Sequence, residues 1–198
     1  MATVEQGLAS QLRNIETTYG RSIDEWIAVI GAGGLGLSAI GMLRVLGHAR
    51  VVSVDIDDKK LNAANGAGAA ATLNSRKSGA EENLKSITHG ALYGAVDFVG
   101  STETAELALG VLRKGGRLIL VGLFGGEIKL SIAGTILRAV TVQGSHLGSV
   151  AELKAVVALA REGKINPIPI ETRPMSAVSR TLDELKAGAI VGRVVAQV

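Results

Sequence analysis

Trp26-Ile27-Ala28-Val29-Ile30-Gly31-Ala32-Gly33-Gly34-Leu35-Gly36 is the stretch on which the fold turns. Its first five residues are apolar and read as a buried strand. Gly31, Gly33 and Gly36 then fit G-x-G-x-x-G, and a helical pattern runs from Gly36 to Leu46. In that setting Gly31 permits a tight turn, Gly33 lets backbone approach a pyrophosphate, and Gly36 lets the helix lie close to the strand. The N–H groups of Gly34 and Leu35 would point out of the helix N-terminus, where partial positive charge favours phosphate. Asp55 follows Gly36 by nineteen residues, at the end of the next strand. An acid there accepts both hydroxyls of an adenine ribose and repels a 2′-phosphate. Together these features predict a dinucleotide cradle; a glycine turn needed only for packing is the competing reading. Sites for S-adenosylmethionine usually carry an acid just before the glycines, where this chain has Ile30.

Outward from the cradle the chain alternates. Val51–Val54, Ala71–Leu73, Val96–Val99, Arg117–Val121 and Val140–Gln143 read as short strands. Helical segments lie between and after them, at Lys59–Ala67, Ala80–Thr88, Thr102–Leu112 and Val150–Arg161, with Gly47, Gly90 and Gly115 as stops. Strands alternating with helices predict an α/β fold with a doubly wound parallel sheet, the Rossmann arrangement. The rhythm breaks after residue 165. Pro167, Pro169 and Pro174 mark irregular chain and an edge strand, before a helix at Ala177–Leu185 and a last strand at Val191–Val195. At the other end Val4, Leu8, Leu12 and Ile15 form one helical stripe. Thr3 and Gln6 match a capping box and Gly20 a stop, which adds an N-terminal helix to the fold. The expected divisions are therefore 1–25, 26–165 and 166–198.

Composition supports this layout. The 198 residues are 47% hydrophobic, enough to bury a core, and their 26 glycines show no three-residue period of a collagen. With no cysteine, disulfides, thiolate nucleophiles and thiolate-bound zinc are excluded. A net charge of +3, dispersed along the chain, gives no footprint for nucleic acid. No apolar run approaches the ~18 residues of a membrane span, and the first twenty residues lack a signal peptide's apolar core, so a cytoplasmic protein is expected.

From Trp26 onward the chain resembles the nucleotide-binding half of the medium-chain, zinc-type alcohol dehydrogenases. The resemblance rests on Val29-Ile30 leading into the glycines, Val54-Asp55-Ile56-Asp57 with Lys60, and Asp97-Phe98-Val99-Gly100. It continues through Gly115–Leu123, Gly144-Ser145 and the closing Gly188–Arg193. It implies a strand order of 3-2-1-4-5-6 and an NAD(H) ligand. It also implies roles. Lys60 would help hold the adenosine ribose, with Val99 and Gly100 beside it. Val121, Gly122 and Leu123 would supply backbone near the nicotinamide, and the main chain of Ser145 and Leu147 would hold the carboxamide. Arg193 would reach the cofactor's phosphate or its nicotinamide ribose. The family's zinc-bearing domain and its proton relay have no counterpart here. Residues 2–26 resemble instead, through Gln11–Glu16 and Ser22–Trp26, a small group of bacterial helical proteins. A natural fusion, a truncated gene and an engineered chain all fit this departure.

No residue is assigned a catalytic or metal-ligating role. His48, His89 and His146 are too scattered for zinc; the first two fall near helix ends, and His146 lies in the loop expected beside the nicotinamide. Ser145 has no evident base. The expected function is an NAD(H)-binding domain of an alcohol dehydrogenase-like oxidoreductase, inactive alone; a non-catalytic nucleotide-binding or assembly module is the alternative. The edge strand Val140–Gln143 carries no proline or lysine to discourage pairing, so a homodimer through it is expected. Uncovered apolar surface is expected around Pro167–Met175.

Overall fold

Strand β1, Trp26–Ile30, sits at the centre of the sheet and alternates its side chains between two cores. The computed structural model describes residues 25–197, so the helix expected at Ala2–Ile15, its caps and the Gly20 stop lie outside the described residues. β1 pairs in parallel with β2 (Val51–Asp55) on one side and β4 (Leu92–Asp97) on the other. β3 (Ala71–Asn74) extends the sheet beyond β2; β5 (Leu112–Leu120) and β6 (Thr141–Gly144) extend it beyond β4. The resulting order, 3-2-1-4-5-6, is the one implied by the resemblance.

Helices cover both faces. Ile27 and Val29 pack with Leu37, Ile40 and Leu43 of α1 (Gly34–Val45) and Ala64 of α2 (Asp58–Ala67). Ala28 and Ile30 face the other way, against Leu84 of α3 (Ala80–Thr88) and Ala105, Ala108 and Val111 of α4 (Thr102–Val111). Each fully buried Leu or Ile is worth about 1.5–3 kcal/mol of transfer free energy, so the paired faces hold β1 in register. Local chemistry starts the helices: Asp57 accepts from Lys59 N at the head of α2, and Ser101 and Thr104 form a reciprocal capping box on α4.

Several boundaries differ from those expected. β4 begins four residues early, and Phe98 and Val99 lie past its end. Gly115 does not follow a helix end directly: α4 stops at Val111, and Gly115 sits in a register shift within β5, between the Leu92↔Leu112 and Gly94↔Arg117 pairs. A short helix α5 (Ile132–Arg138) lies where the sequence predicts none. Its β-branched residues and Gly134 give weak propensity; Ser131, which accepts from Gly134 N, was the available cue. Helix α6 (Val150–Arg161) matches, with a Ser149–Glu152 capping box. β7 (Ile170–Pro174) and β8 (Arg193–Gln197) form a separate parallel pair, joined through a 3-10 turn at Met175–Ala177 and helix α7 (Val178–Lys186). β8 starts two residues late because Gly192, with φ +77°, is in the left-handed region rather than in strand backbone; a Cβ there would also lie 2.1 Å from Pro169 O. Among the described residues no helix is long and apolar enough to cross a membrane.

Candidate functional site

The site lies where the strand order reverses, beyond the C-terminal ends of β1, β2 and β4. Gly31 N donates to Val54 O and Phe98 N to Ile30 O, so the glycine turn is tied to both neighbouring strands. Gly31 has φ +90°, and a Cβ there would stand 2.9 Å from Val99 Cγ2. A Cβ on Gly36 would sit 1.8 Å from Gly31 O, so α1 can start this close to its strand only with glycine. Gly33 differs from both. A Cβ on it would meet nothing within 4 Å, and this open space borders the first turn of α1. Gly33 is the N-cap of that helix with no side-chain cap bond, so the leading N–H groups, Gly34 and Leu35 among them, have no intrahelical acceptor. Arg193 lies over the same turn: a Cβ on Gly34 would be 3.0 Å from its Cγ and Nε. A guanidinium beside a helix N-terminus concentrates positive charge, an arrangement that suits an anion.

Asp55 closes the other side. Its Oδ2 accepts from Ala32 N at 2.7 Å, inside the glycine turn, and its Oδ1 accepts from Ile56 N and Asp57 N at 2.7 and 3.0 Å. Three backbone donors hold the carboxylate beside the turn, in the wall of a cleft of about 530 Å³. Ile30, Gly31, Asp55, Val99, Thr104 and Phe124 are among its walls. Glu103 lines it too; its own backbone N–H, then the Ser101 hydroxyl, hold its carboxyl below the usual carboxylate range. Lys60, in the first turn of α2, extends toward the C-terminal segment, its Nζ 3.7 Å from a Cβ placed on Gly188.

On the far side of the cleft, Val99 N and Gly100 N both donate to Asp97 Oδ1. Val121 N and Gly122 N donate to the Asp97 carbonyl, which brings the segment after β5 alongside. Gly100, Gly122 and Leu123 line a second cavity of about 280 Å³ next to the first, and Leu123 is 87% exposed. Val121 packs against the core instead. Ser145 N donates to Leu120 O at the end of β6 and Leu147 is exposed; neither lines either cavity. Thus Gly31, Asp55 and Val99 converge on one cleft, Arg193 joins Gly34 at the helix terminus, and Ser145 and Leu147 stand apart. Sequence reading passed over Thr104, Phe124 and Glu103, which carry no motif. Asp97 carries no role on sequence grounds, although an acid closing an apolar strand is a usable signal.

Zinc does not fit the residues present: the sequence has no cysteine, and among the described residues no group of three or more His, Asp or Glu side chains could hold a metal ion. His48 is buried just past α1, His89 caps α3, and His146 is exposed.

Residues 34–162 match the family described as zinc-binding dehydrogenase. An alcohol dehydrogenase of Geobacillus stearothermophilus is 32% identical over 187 residues, covering 90% of this chain and 54% of that protein. A NAD-dependent alcohol dehydrogenase of Sulfurisphaera tokodaii is 32% identical over 169 residues, 84% of this chain and 49% of that one. The crystal structure of the alcohol dehydrogenase from Aeropyrum pernix superposes with a TM-score of 0.85 at 30% identity, over 98% of this chain and 54% of its own. The chain spans about half the length of the curated relatives it matches.

Proposed function

The chain belongs to the zinc-binding dehydrogenase family, of which it matches the nucleotide-binding half, and from that premise we propose that it binds NAD(H) for an alcohol dehydrogenase-like oxidoreductase. The observation that carries the proposal is the Asp55 carboxylate bonded to Ala32 N, which sets a ribose-binding acid against the phosphate-binding turn. The first turn of α1 would take the pyrophosphate on Gly34 N and Leu35 N, with Gly31, Gly33 and Gly36 keeping the approach clear and Arg193 adding charge from above. Asp55 would accept the adenine ribose hydroxyls, helped by Lys60, with Val99 and Gly100 as the adjoining wall. Val121, Gly122 and Leu123 would stand near the nicotinamide, and Ser145 and Leu147 would offer main chain to its carboxamide. When bound, the cofactor supplies hydride exchange with an alcohol or carbonyl; this chain's own residues bind it, orient it and exclude its phosphorylated form. Alcohol turnover belongs to a complete enzyme, and the 198-residue chain alone should show none. We extend the proposal to a cytoplasmic homodimer paired through β6.

Cofactor choice tests it. A 2′-phosphate at Asp55 would meet a carboxylate held by three N–H groups, so NADH should bind at least about tenfold, or ~1.4 kcal/mol, better than NADPH. Fluorescence titration with each cofactor measures this, and Asp55→Ala should weaken NADH and narrow the gap. Equal affinities for the two cofactors would contradict it.

A further inference from the structure

Asp97 lines neither cavity, yet it bonds to two segments that help wall them. It ends β4 and is fully buried, 0% exposed, among apolar neighbours. Burying a carboxyl costs several kcal/mol unless its hydrogen bonds are made. Here every bond is a donor aimed at it. Oδ1 accepts from Val99 N at 2.9 Å and Gly100 N at 3.0 Å, and Oδ2 accepts the Thr104 hydroxyl at 2.8 Å. Its main-chain carbonyl accepts from Val121 N at 2.9 Å and Gly122 N at 3.0 Å.

One residue therefore fixes two arms: Val99 to Thr104, leading into α4, and Val121 to Gly122, leaving β5. The arms then close on each other. A Cβ on Gly100 would lie 2.0 Å from Gly122 O, and a Cβ on Gly122 would lie 2.1 Å from the Val99 carbonyl carbon. Beyond this crossing Phe124 N donates to Val99 O, and the Thr102 hydroxyl and Glu127 backbone exchange bonds at 3.0 and 3.1 Å. The crossing is the wall between the two cavities, with Val99 and Thr104 facing one and Gly100 and Gly122 facing the other.

We infer that Asp97 is a positioning residue for the cofactor: without touching it, the buried carboxyl holds the Val99–Thr104 and Val121–Gly122 arms at the spacing the cleft requires. This rests on the nucleotide-binding reading. A buried acid kept only for stability would alter the unfolding midpoint and leave the affinity of the folded protein unchanged. A positioning residue changes affinity in the folded protein.

The test is NADH titration of the full chain carrying Asp97→Ala or Asp97→Asn, with amide hydrogen exchange on the unliganded proteins. Asp97→Ala leaves the Val99 and Gly100 N–H groups without their acceptor. It should weaken NADH by about tenfold or more and speed exchange in both arms, while protection at Leu37 beside the glycine turn stays as in the parent. Asp97→Asn keeps the Oδ1 acceptor, and Thr104 can turn its hydroxyl to Ser101 O, already 3.1 Å away. Affinity should return to within about threefold of the parent. Thr104→Val, which removes the Oδ2 partner and with it the acceptor of Ser101 N in the α4 capping box, is the second variant should Asp97→Ala not fold, and should weaken NADH by about threefold, whereas Thr104→Ser, which keeps both bonds, should bind as the parent does. If the parent binds NADH while Asp97→Ala, or Thr104→Val in its place, binds it equally well, the inference is overturned and the nucleotide-binding reading stands. A parent that binds no NADH overturns both.

Discussion

Helices α1 and α6 are each twelve residues long, yet α1 buries six of them and α6 buries none. The contrast extends across the described residues. Every fully buried residue described lies at or before Ile119. Among the described residues, only Ile56 of the exposed large apolar residues precedes that point; the others run from Leu123 through Ile132, Ile136 and Leu137 to Val195. The later elements are no less regular. α6 has a capping box as complete as that of α4, and Arg138 docks α5 by donating to Leu109 O and Leu112 O. Secondary structure and burial are thus specified separately: caps and periodicity make a helix, while burial needs a second layer, which the early strands have and the late helices lack.

The largest effect should come from the core. Leu37→Ala removes a fully buried side chain and should cost about 2–5 kcal/mol in urea unfolding. Leu182→Ala, at a position 58% exposed, should cost under about 0.5 kcal/mol. Similar losses would mean that the later region is covered in solution, and the comparison would fail.

Assembly gives the next effect. If two chains pair through β6, light scattering should find about twice 20.3 kDa. Val142, the obvious site for a disruptive lysine, packs inward on the second core cluster, so replacing it would also damage the fold. Ser145 N donates to Leu120 O within the sheet, and by alternation Gly144 N faces the free edge. Gly144→Pro, which removes that donor, should leave a monomer that still binds NADH. A mass near 20.3 kDa for the parent would refute pairing.

The smallest effect concerns β7 and α7. Arg173 bonds Glu171 at 2.7 Å and Glu184 at 2.6 Å. The hydrogen bond from Arg173 holds the Glu171 carboxyl below its ordinary value of 4.5, against a smaller opposing effect of burial. A carboxyl whose folded pKa is depressed favours folding above its unfolded pKa, and that favour fades as pH falls through the folded value. Glu171→Gln should therefore lose a small stability increment at pH 7 and match the parent in acid well below 4.5. A difference that persists in acid would assign the effect to something other than this ion pair.

Much of this was legible in advance. Val29-Ile30-Gly31 through Gly36, with Asp55 at its distance, marks the central strand and the turn because Gly31, Gly36 and the acid are each fixed by close local contacts. The strand order came from resemblance, since alternation alone does not say which strands are neighbours. What stayed hidden depends on tertiary contact. The start of β4 at Leu92 is masked by Gly94, which a strand tolerates here beside Ile27. The role of Asp97 appears only when Val121 and Gly122 come alongside it from more than twenty residues away. The exposure of α6 is invisible to periodicity, which reports an apolar stripe whether or not anything covers it.

Gly33 offers the most direct test of the nucleotide-binding claim. Its φ of −77° and ψ of −168° are open to alanine, and an added methyl would meet no protein atom within 4 Å, so Gly33→Ala should fold with an unchanged melting temperature. The same methyl would occupy the space through which a pyrophosphate approaches the first turn of α1. Calorimetric titration should find one NADH per chain in the parent and an affinity at least about tenfold weaker in Gly33→Ala. A parent that binds no NADH, or a Gly33→Ala chain that binds it as tightly as the parent, would contradict the account.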